Sequence, residues 1–242
     1  MNTSAKLILF TLLSVSTLAG AAESRHNKPF HAVKQDQQVR NFNGVAIGGS
    51  IKAVIKIGSE ESIRFEGDQE AISKLKVEVK DGILNVKPDN KWNDWGKKFG
   101  NTKIVAYITA KRISSLTMGG SGSIEMESPL NTTELSTTIG GSGSITAKVS
   151  LKKLTSVIGG SGNIQIEGRT DEFNVTIGGS GSVKGKELSA EKVTARISGS
   201  GTVYVTANKN INAVISGSGT VHYSGNASVE KTVVGSGGVR KD

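Results

Sequence analysis

One motif recurs seven times in the second half of this chain, and little else about the sequence constrains the fold as much. The copies are MGGSGSI (Met118 to Ile124), IGGSGSI (Ile139 to Ile145), IGGSGNI (Ile158 to Ile164), IGGSGSV (Ile177 to Val183), ISGSGTV (Ile197 to Val203 and Ile215 to Val221) and VGSGGV (Val234 to Val239). The glycine after the shared serine falls at 122, 143, 162, 181, 201, 219 and 237, with separations of 21, 19, 19, 20, 18 and 18. Self-similarity at such a period predicts an all-β solenoid of about 18–21 residues per coil, each coil stacked on the last through a Gly-Ser corner.

The flanks carry the core. Four places before the turn-entry residue stand Leu135, Leu154, Phe173, Val193 and Ile211, and two places before it Thr137, Ser156, Val175, Ala195 and Ala213. After the corner come Ile124, Ile145, Ile164, Val183, Val203 and Val221, then Met126, Ala147, Ile166, Gly185, Val205 and Tyr223. Apolar residues at alternate places on both sides of a corner predict two strands facing one core, joined to the next pair by an adjustable return loop. Rungs spaced about 4.8 Å apart would make the seven coils a rod on the order of 34 Å long. The corner glycines are expected to supply positive φ and room where coils meet. Ser121, Ser142, Ser161, Ser180, Ser200, Ser218 and Ser236 are expected to form a structural ladder of hydroxyls. Outside, Glu127, Lys148, Glu167 and Lys186 fall in one file of alternating sign, which favours this register. On the last coil Glu230 takes an apolar place, a charge that blunts an open edge.

The N-terminus reads as an address. Lys6 precedes an apolar stretch, LILFTLLSVSTLA, too short to anchor in a bilayer, and Ala19-Gly20-Ala21 supplies small residues for cleavage. Residues 1–21 are therefore expected to be a signal peptide, and residues 22–41 a flexible polar arm. The product is exported and periplasmic, secreted or at the cell surface. With no cysteine among 242 residues, disulfides, thiolate zinc sites and lipid attachment through cysteine are excluded. The formal charge of +9 suits an anionic polysaccharide or lipid headgroups, and export disfavours nucleic acid.

Residues 42–117 alternate as well, through Ile51, Ala53, Ile55 and Ile57, then Ile63 and Phe65, Leu84 and Val86, and Ile104, Ala106 and Ile108. Gly48-Gly49-Ser50 is a degenerate corner, so this part reads as an irregular beginning of the solenoid that leads into regular repeats over 118–242; a separate small β domain is the alternative. A loop at 88–103 breaks the pattern and holds both tryptophans. Trp92 and Trp95 beside Lys91, Lys97 and Lys98 would make a platform for a sugar ring or an anionic partner, or the indoles would cap the end of the core.

Chemistry is sparse. The corners lack the GK[ST] of a phosphate loop, and where a calcium nonapeptide has aspartate they carry Ser123, Ser144, Asn163, Ser182, Thr202, Thr220 and Gly238. His26, His31 and His222 form no triad or metal cluster. Glu127 and Glu167, two rungs apart, approach the separation of an inverting carboxylate pair, but Lys148 between them holds both ionised where one must be a proton donor. No cofactor is expected.

The opening FNGVAIGGSIKAVIKIG, the DGILNVK strand and the GSGS/GSGT corners followed by Ile or Val resemble, from Phe42 to Val239, the family of exported bacterial proteins described as putative auto-transporter adhesin, head GIN domain. The resemblance implies a right-handed parallel β-helix and adhesion. The sequence departs from that label in having neither a translocator barrel after the solenoid nor a lipobox cysteine. The leading reading is a non-enzymatic, adhesin-like envelope protein that binds carbohydrate or a protein partner. A polysaccharide lyase or glycoside hydrolase is the second reading, a self-associating structural element the third, and oligomeric state is left open.

Overall fold

The computed structural model of the protein describes residues 39–89, 98–99 and 102–242. The signal-peptide reading and most of the arm lie outside the described residues, as do Lys91, Trp92, Trp95 and Lys97. In chain order the elements are β1 (Gly44–Ile47), β2 (Lys52–Ile57), β3 (Ser62–Gly67), α1 (Gln69–Ser73), β4 (Leu75–Lys80), β5 (Ile83–Pro88), β6 (Ile104–Ala110), β7 (Ser115–Met118), β8 (Ser123–Met126), β9 (Leu130–Asn131), β10 (Glu134–Ile139), β11 (Ser144–Ile158), β12 (Asn163–Ile177), β13 (Ser182–Gly199), β14 (Thr202–Gly217), β15 (Thr220–Ser224), β16 (Ser228–Val234) and β17 (Gly238–Lys241).

These strands stack in parallel as a β-solenoid. On the face leading into the corner the order is β5, β1, β7, β10, the second halves of β11 to β14, then β16. On the face leading out it is β6, β2, β8, the first halves of β11 to β14, β15 and β17. The repeat frame holds: Leu135, Leu154, Phe173, Val193 and Ile211 are register partners and all are buried. Burial of each such aliphatic side chain stabilises the rod by roughly 1.5–3 kcal/mol.

The corner is held by the main chain. The amides of Ser142, Ser161 and Ser180 each donate to a glycine carbonyl one coil earlier, Gly120, Gly141 and Gly160, at 3.1 Å. Ser121 N donates likewise to Gly49 O at 3.0 Å, so Gly48-Gly49-Ser50 is stacked beneath the first regular corner. The seven corner serines line one exposed file, and among the described residues no hydrogen bond joins one of their hydroxyls to the next; the relay between coils runs from amide to carbonyl. Crowding, more than φ, explains the glycines. A Cβ on Gly141 would stand 2.5 Å from Gly120 O although its φ is not positive, whereas Gly199 has φ +124° as well as Gly179 O at 2.6 Å.

Two expectations are corrected. The return is not a loop: β11 and β12 run through it unbroken for 15 residues each, and Val149, Leu151, Leu188, Ala190 and Ala207 continue the inward alternation there. Differences in coil length are absorbed as register shifts, between Gln165 and Gly168 and between Gly185 and Ser189. The last coil is also set one residue differently from the sequence reading. Val233, not Val234, pairs with Ile215, which puts Lys231 opposite Ala213 in the inward register and leaves Glu230 beside Asn212 on the outside. An inward charge on an outermost strand opposes pairing with another chain.

At the other end the chain doubles back. β3 pairs antiparallel with β6, β4 antiparallel with β5, and α1 joins them, its first turn capped by Asp68, whose carboxylate accepts from Ala71 N at 2.9 Å. Charged residues mark these edges, with Arg64 paired to Glu66 and Lys76 to Glu78. β5 lies against β1 and β6 against β2, so these two strands continue both faces by one more coil at this end. On the return side, ahead of β1, Val39 is buried and Asn41 N bonds to Glu61 Oε2 at 2.8 Å.

Candidate functional site

The sequence placed its candidate binding residues, Lys91, Trp92, Trp95, Lys97 and Lys98, between β5 and β6. Of these, Lys98 is described: its ammonium pairs with Glu70 of α1 and lies 5.3 Å from the ring centre of Phe99. Among the described residues here Phe99 is buried, at 6% exposure, a residue the sequence reading passed over. Asp89 N donates to Lys74 O at 2.8 Å, which pins the start of the segment to the end of α1.

Along the outward surface of the face leaving the corner, side chains of successive coils form files, and one file carries aromatic groups at both ends. Near the doubled-back end the Arg64 guanidinium lies 4.4 Å from the Tyr107 ring centre. A hydrogen bond with Glu66 raises the Tyr107 phenol above its usual range, with desolvation adding to the rise. Glu66 is lowered in turn, by its bonds with Arg64 and then Tyr107. Beside them, a hydrogen bond to Glu125 and the attraction of its charge raise Lys52, the pair standing 2.9 Å apart.

At the opposite end Tyr204 stacks on His222, with ring centres 5.0 Å apart and planes 21° from parallel. Asp242 Oδ1 accepts from His222 Nδ1 at 2.9 Å, and the Lys186 ammonium lies 3.6 Å from Asp242 Oδ2 and 5.2 Å from the Tyr204 ring centre. The His222 hydrogen bond, reinforced by the His222 and Lys186 charges, lowers the Asp242 carboxyl. This group forms at the register shift in β13. Gly185 pairs with Val205 and Ser189 with Thr206, so Lys186, Glu187 and Leu188 are extra residues on β13. Leu188 turns into the core, fully buried, while Lys186 and Glu187 stay exposed. Thr206 Oγ1 donates to Lys186 O at 2.9 Å and fixes the bulge. A cleft of about 290 Å³ opens beside it, lined by Gln165, Ile166, Glu167, Lys184, Lys186, Glu187 and Tyr204. A second, shallower depression of about 590 Å³ lies on the return, lined by residues that include Asn131, Lys152, Arg169 and Asp171.

The file of alternating charge is partly present. Lys148 is the register partner of Glu167, with Nζ 3.9 Å from Oε2, so the proposed carboxylate pair does have a cation against one member. Lys186 leaves that file, because the bulge carries it to Tyr204 and Asp242. The sequence reading gave His222 no place in a triad or metal cluster; its only signal was the vertical alignment of Tyr204 with His222, visible once corners are superposed. Among the described residues no three of His, Asp and Glu converge to hold a metal ion, and no helix is long and apolar enough to cross a membrane.

Known structures share this architecture. An adhesin, so described as putative, from Bacteroides fragilis is 22% identical, with 87% of this chain and 96% of that one covered at a TM-score of 0.77. A putative lipid binding protein from Parabacteroides distasonis is 23% identical over 86% and 96% of the two chains, at a TM-score of 0.67. A putative adhesin from Parabacteroides merdae is 20% identical over 86% and 95%, at 0.63. At these identities the likeness establishes the fold alone. No curated protein matches the chain. The family described as putative auto-transporter adhesin, head GIN domain, matches residues 41–227, which takes in the degenerate corner at Gly49 and six of the seven regular ones, and the chain belongs to that family.

Proposed function

We propose that this protein is an exported, non-enzymatic, adhesin-like rod that binds a carbohydrate or protein partner in the cell envelope or outside the cell. The observation that supports this reading is the corner seam and the stretch of sequence that breaks its pattern. Coil after coil repeats the same Gly-Ser corner, while the sequence that joins β5 to β6 carries no such corner and is rich in tryptophan and lysine. Trp92 and Trp95 provide apolar faces, and Lys91, Lys97 and Lys98 provide charge suited to an anionic polysaccharide. Residues 1–21 supply the export signal this reading requires.

The test is binding of the full mature chain to an array of envelope polysaccharides, glycans and purified envelope proteins. Binding that falls about tenfold or more in Trp92→Ala and Trp95→Ala, with an unchanged β-sheet circular dichroism spectrum, supports the assignment. Absence of binding to every probe overturns it.

A further inference from the structure

We propose that the face leading into the corner is a dimer interface, on which a second copy of this chain packs with its rod antiparallel. The first argument is a file of charge at the start of that face. Glu134, Lys153, Glu172 and Lys192 are register partners on successive coils, all exposed and alternating in sign. Among the described residues none of the four forms an ion pair, either along the file or elsewhere. A twofold axis lying in the face, along the strands and between β11 and β12, reverses the order of the coils and sets the file against its own copy. Glu134 then meets the partner's Lys192, and Lys153 meets the partner's Glu172, so every pair is of opposite sign. Packed sheets lie about 10 Å apart, a gap that facing Glu and Lys side chains span. An axis through β11 or β12, instead of between them, would set like charges together.

The second argument is what lies between that file and the corner. Over β10, β11 and β12 the outward residues are Ser136, Thr138, Thr155, Val157, Asn174 and Thr176, and none is charged. The face leaving the corner carries charge on the same run of coils, at Glu125, Lys148, Glu167 and Lys184. Interfaces are depleted of charge at their centre and polar at their rim. Ser, Thr and Asn side chains both donate and accept, so two copies of this surface can satisfy each other. Arg196, the next outward residue after Thr176 in its file, falls opposite the partner's Thr138, clear of another cation. The strand halves that form this face pair from β7 to β16 without a register shift, which keeps the surface regular. Strands spaced about 4.8 Å apart, from β1 to β16, make the face on the order of 650 Å² before side-chain relief is counted. That approaches the roughly 800 Å² per partner of a standard interface.

Sedimentation equilibrium of the full mature chain tests this, and a concentration-dependent dimer is expected. Lys153→Glu alone and Glu172→Lys alone each set like charges across the twofold and should weaken the dimer about tenfold or more. Lys153→Glu/Glu172→Lys restores opposite pairs and should bring the affinity back to within about threefold of the parent. Lys148→Glu, the same charge change on the other face, should leave the dimer unaltered. Trp92→Ala/Trp95→Ala should leave it unaltered too, so this face and the tryptophan-rich stretch are told apart. The proposal is overturned by a monomer at every concentration, by association indifferent to Lys153→Glu, as stacking through the rod ends would be, or by a double variant no better than the singles. Thermal unfolding of each variant shows that the coils are intact.

Discussion

Thr137 Oγ1 lies 2.8 Å from Ser156 Oγ, a hydrogen bond between successive coils in the middle of the apolar interior. Both side chains are fully buried, and in the same inward file the following coils carry Val175, Ala195 and Ala213. The two hydroxyls satisfy each other, and Thr137 also reaches Thr155 O at 3.4 Å. Thr137→Val leaves the Ser156 hydroxyl buried without that partner and should cost about 1–3 kcal/mol. Thr137→Val/Ser156→Ala should recover part of the loss, because no polar group is then stranded. Urea unfolding of both singles and the double decides it, and simple additivity would refute the coupling.

Neighbouring glycines of one corner should respond unequally to the same change. A Cβ on Gly143 would stand 2.6 Å from Gly122 O and 2.5 Å from Met118 Cγ, and only the methionine can move aside. A Cβ on Gly140 meets nothing within 4 Å. Gly143→Ala should therefore destabilise by about 3 kcal/mol, the upper part of the usual overpacking range. Gly140→Ala should stay within about 0.5 kcal/mol of the parent. Equal midpoints in urea would mean that the coils separate more easily than their amide-to-carbonyl contacts imply.

Acid should loosen the last coil. The carboxyl of Asp242 is lowered in the folded chain, first by the His222 hydrogen bond and then by the His222 and Lys186 charges. A carboxyl held below its unfolded value stabilises the fold in full above the ordinary aspartate range, and that contribution disappears as pH falls through the lowered value. Amide exchange at Asp242, whose N–H bonds to Tyr223 O at 2.9 Å, should accelerate over that window beyond the intrinsic change. Asp242→Asn should exchange quickly at neutral pH and lack the acid step. The groups are exposed, so added salt should weaken the effect.

The regular coils were legible because their information is local. Alternation at period two states which side chains face inward, and a Gly-Ser corner states where the chain turns, so Leu135, Leu154 and Phe173 could be stacked from sequence alone. The last coil was misread by one place because Val233 and Val234 fit the pattern equally well, and only pairing with Ile215 separates them. Continuous strands through the return were missed because Thr170, Gly168 and Ala190 do not read as an apolar alternation until Val149 and Leu151 are set beside them.

From sequence alone followed the period, the inward files, the sevenfold corner and membership of the family. Tertiary structure decided that β5 pairs with β1 and β6 with β2, and that a bulge brings Lys186 to Tyr204 and Asp242. The reason is that a residue's facing depends on its immediate neighbours along the chain. Which strand lies beside which depends instead on parallel pairings between distant residues, and these are chosen by the packing of the whole rod.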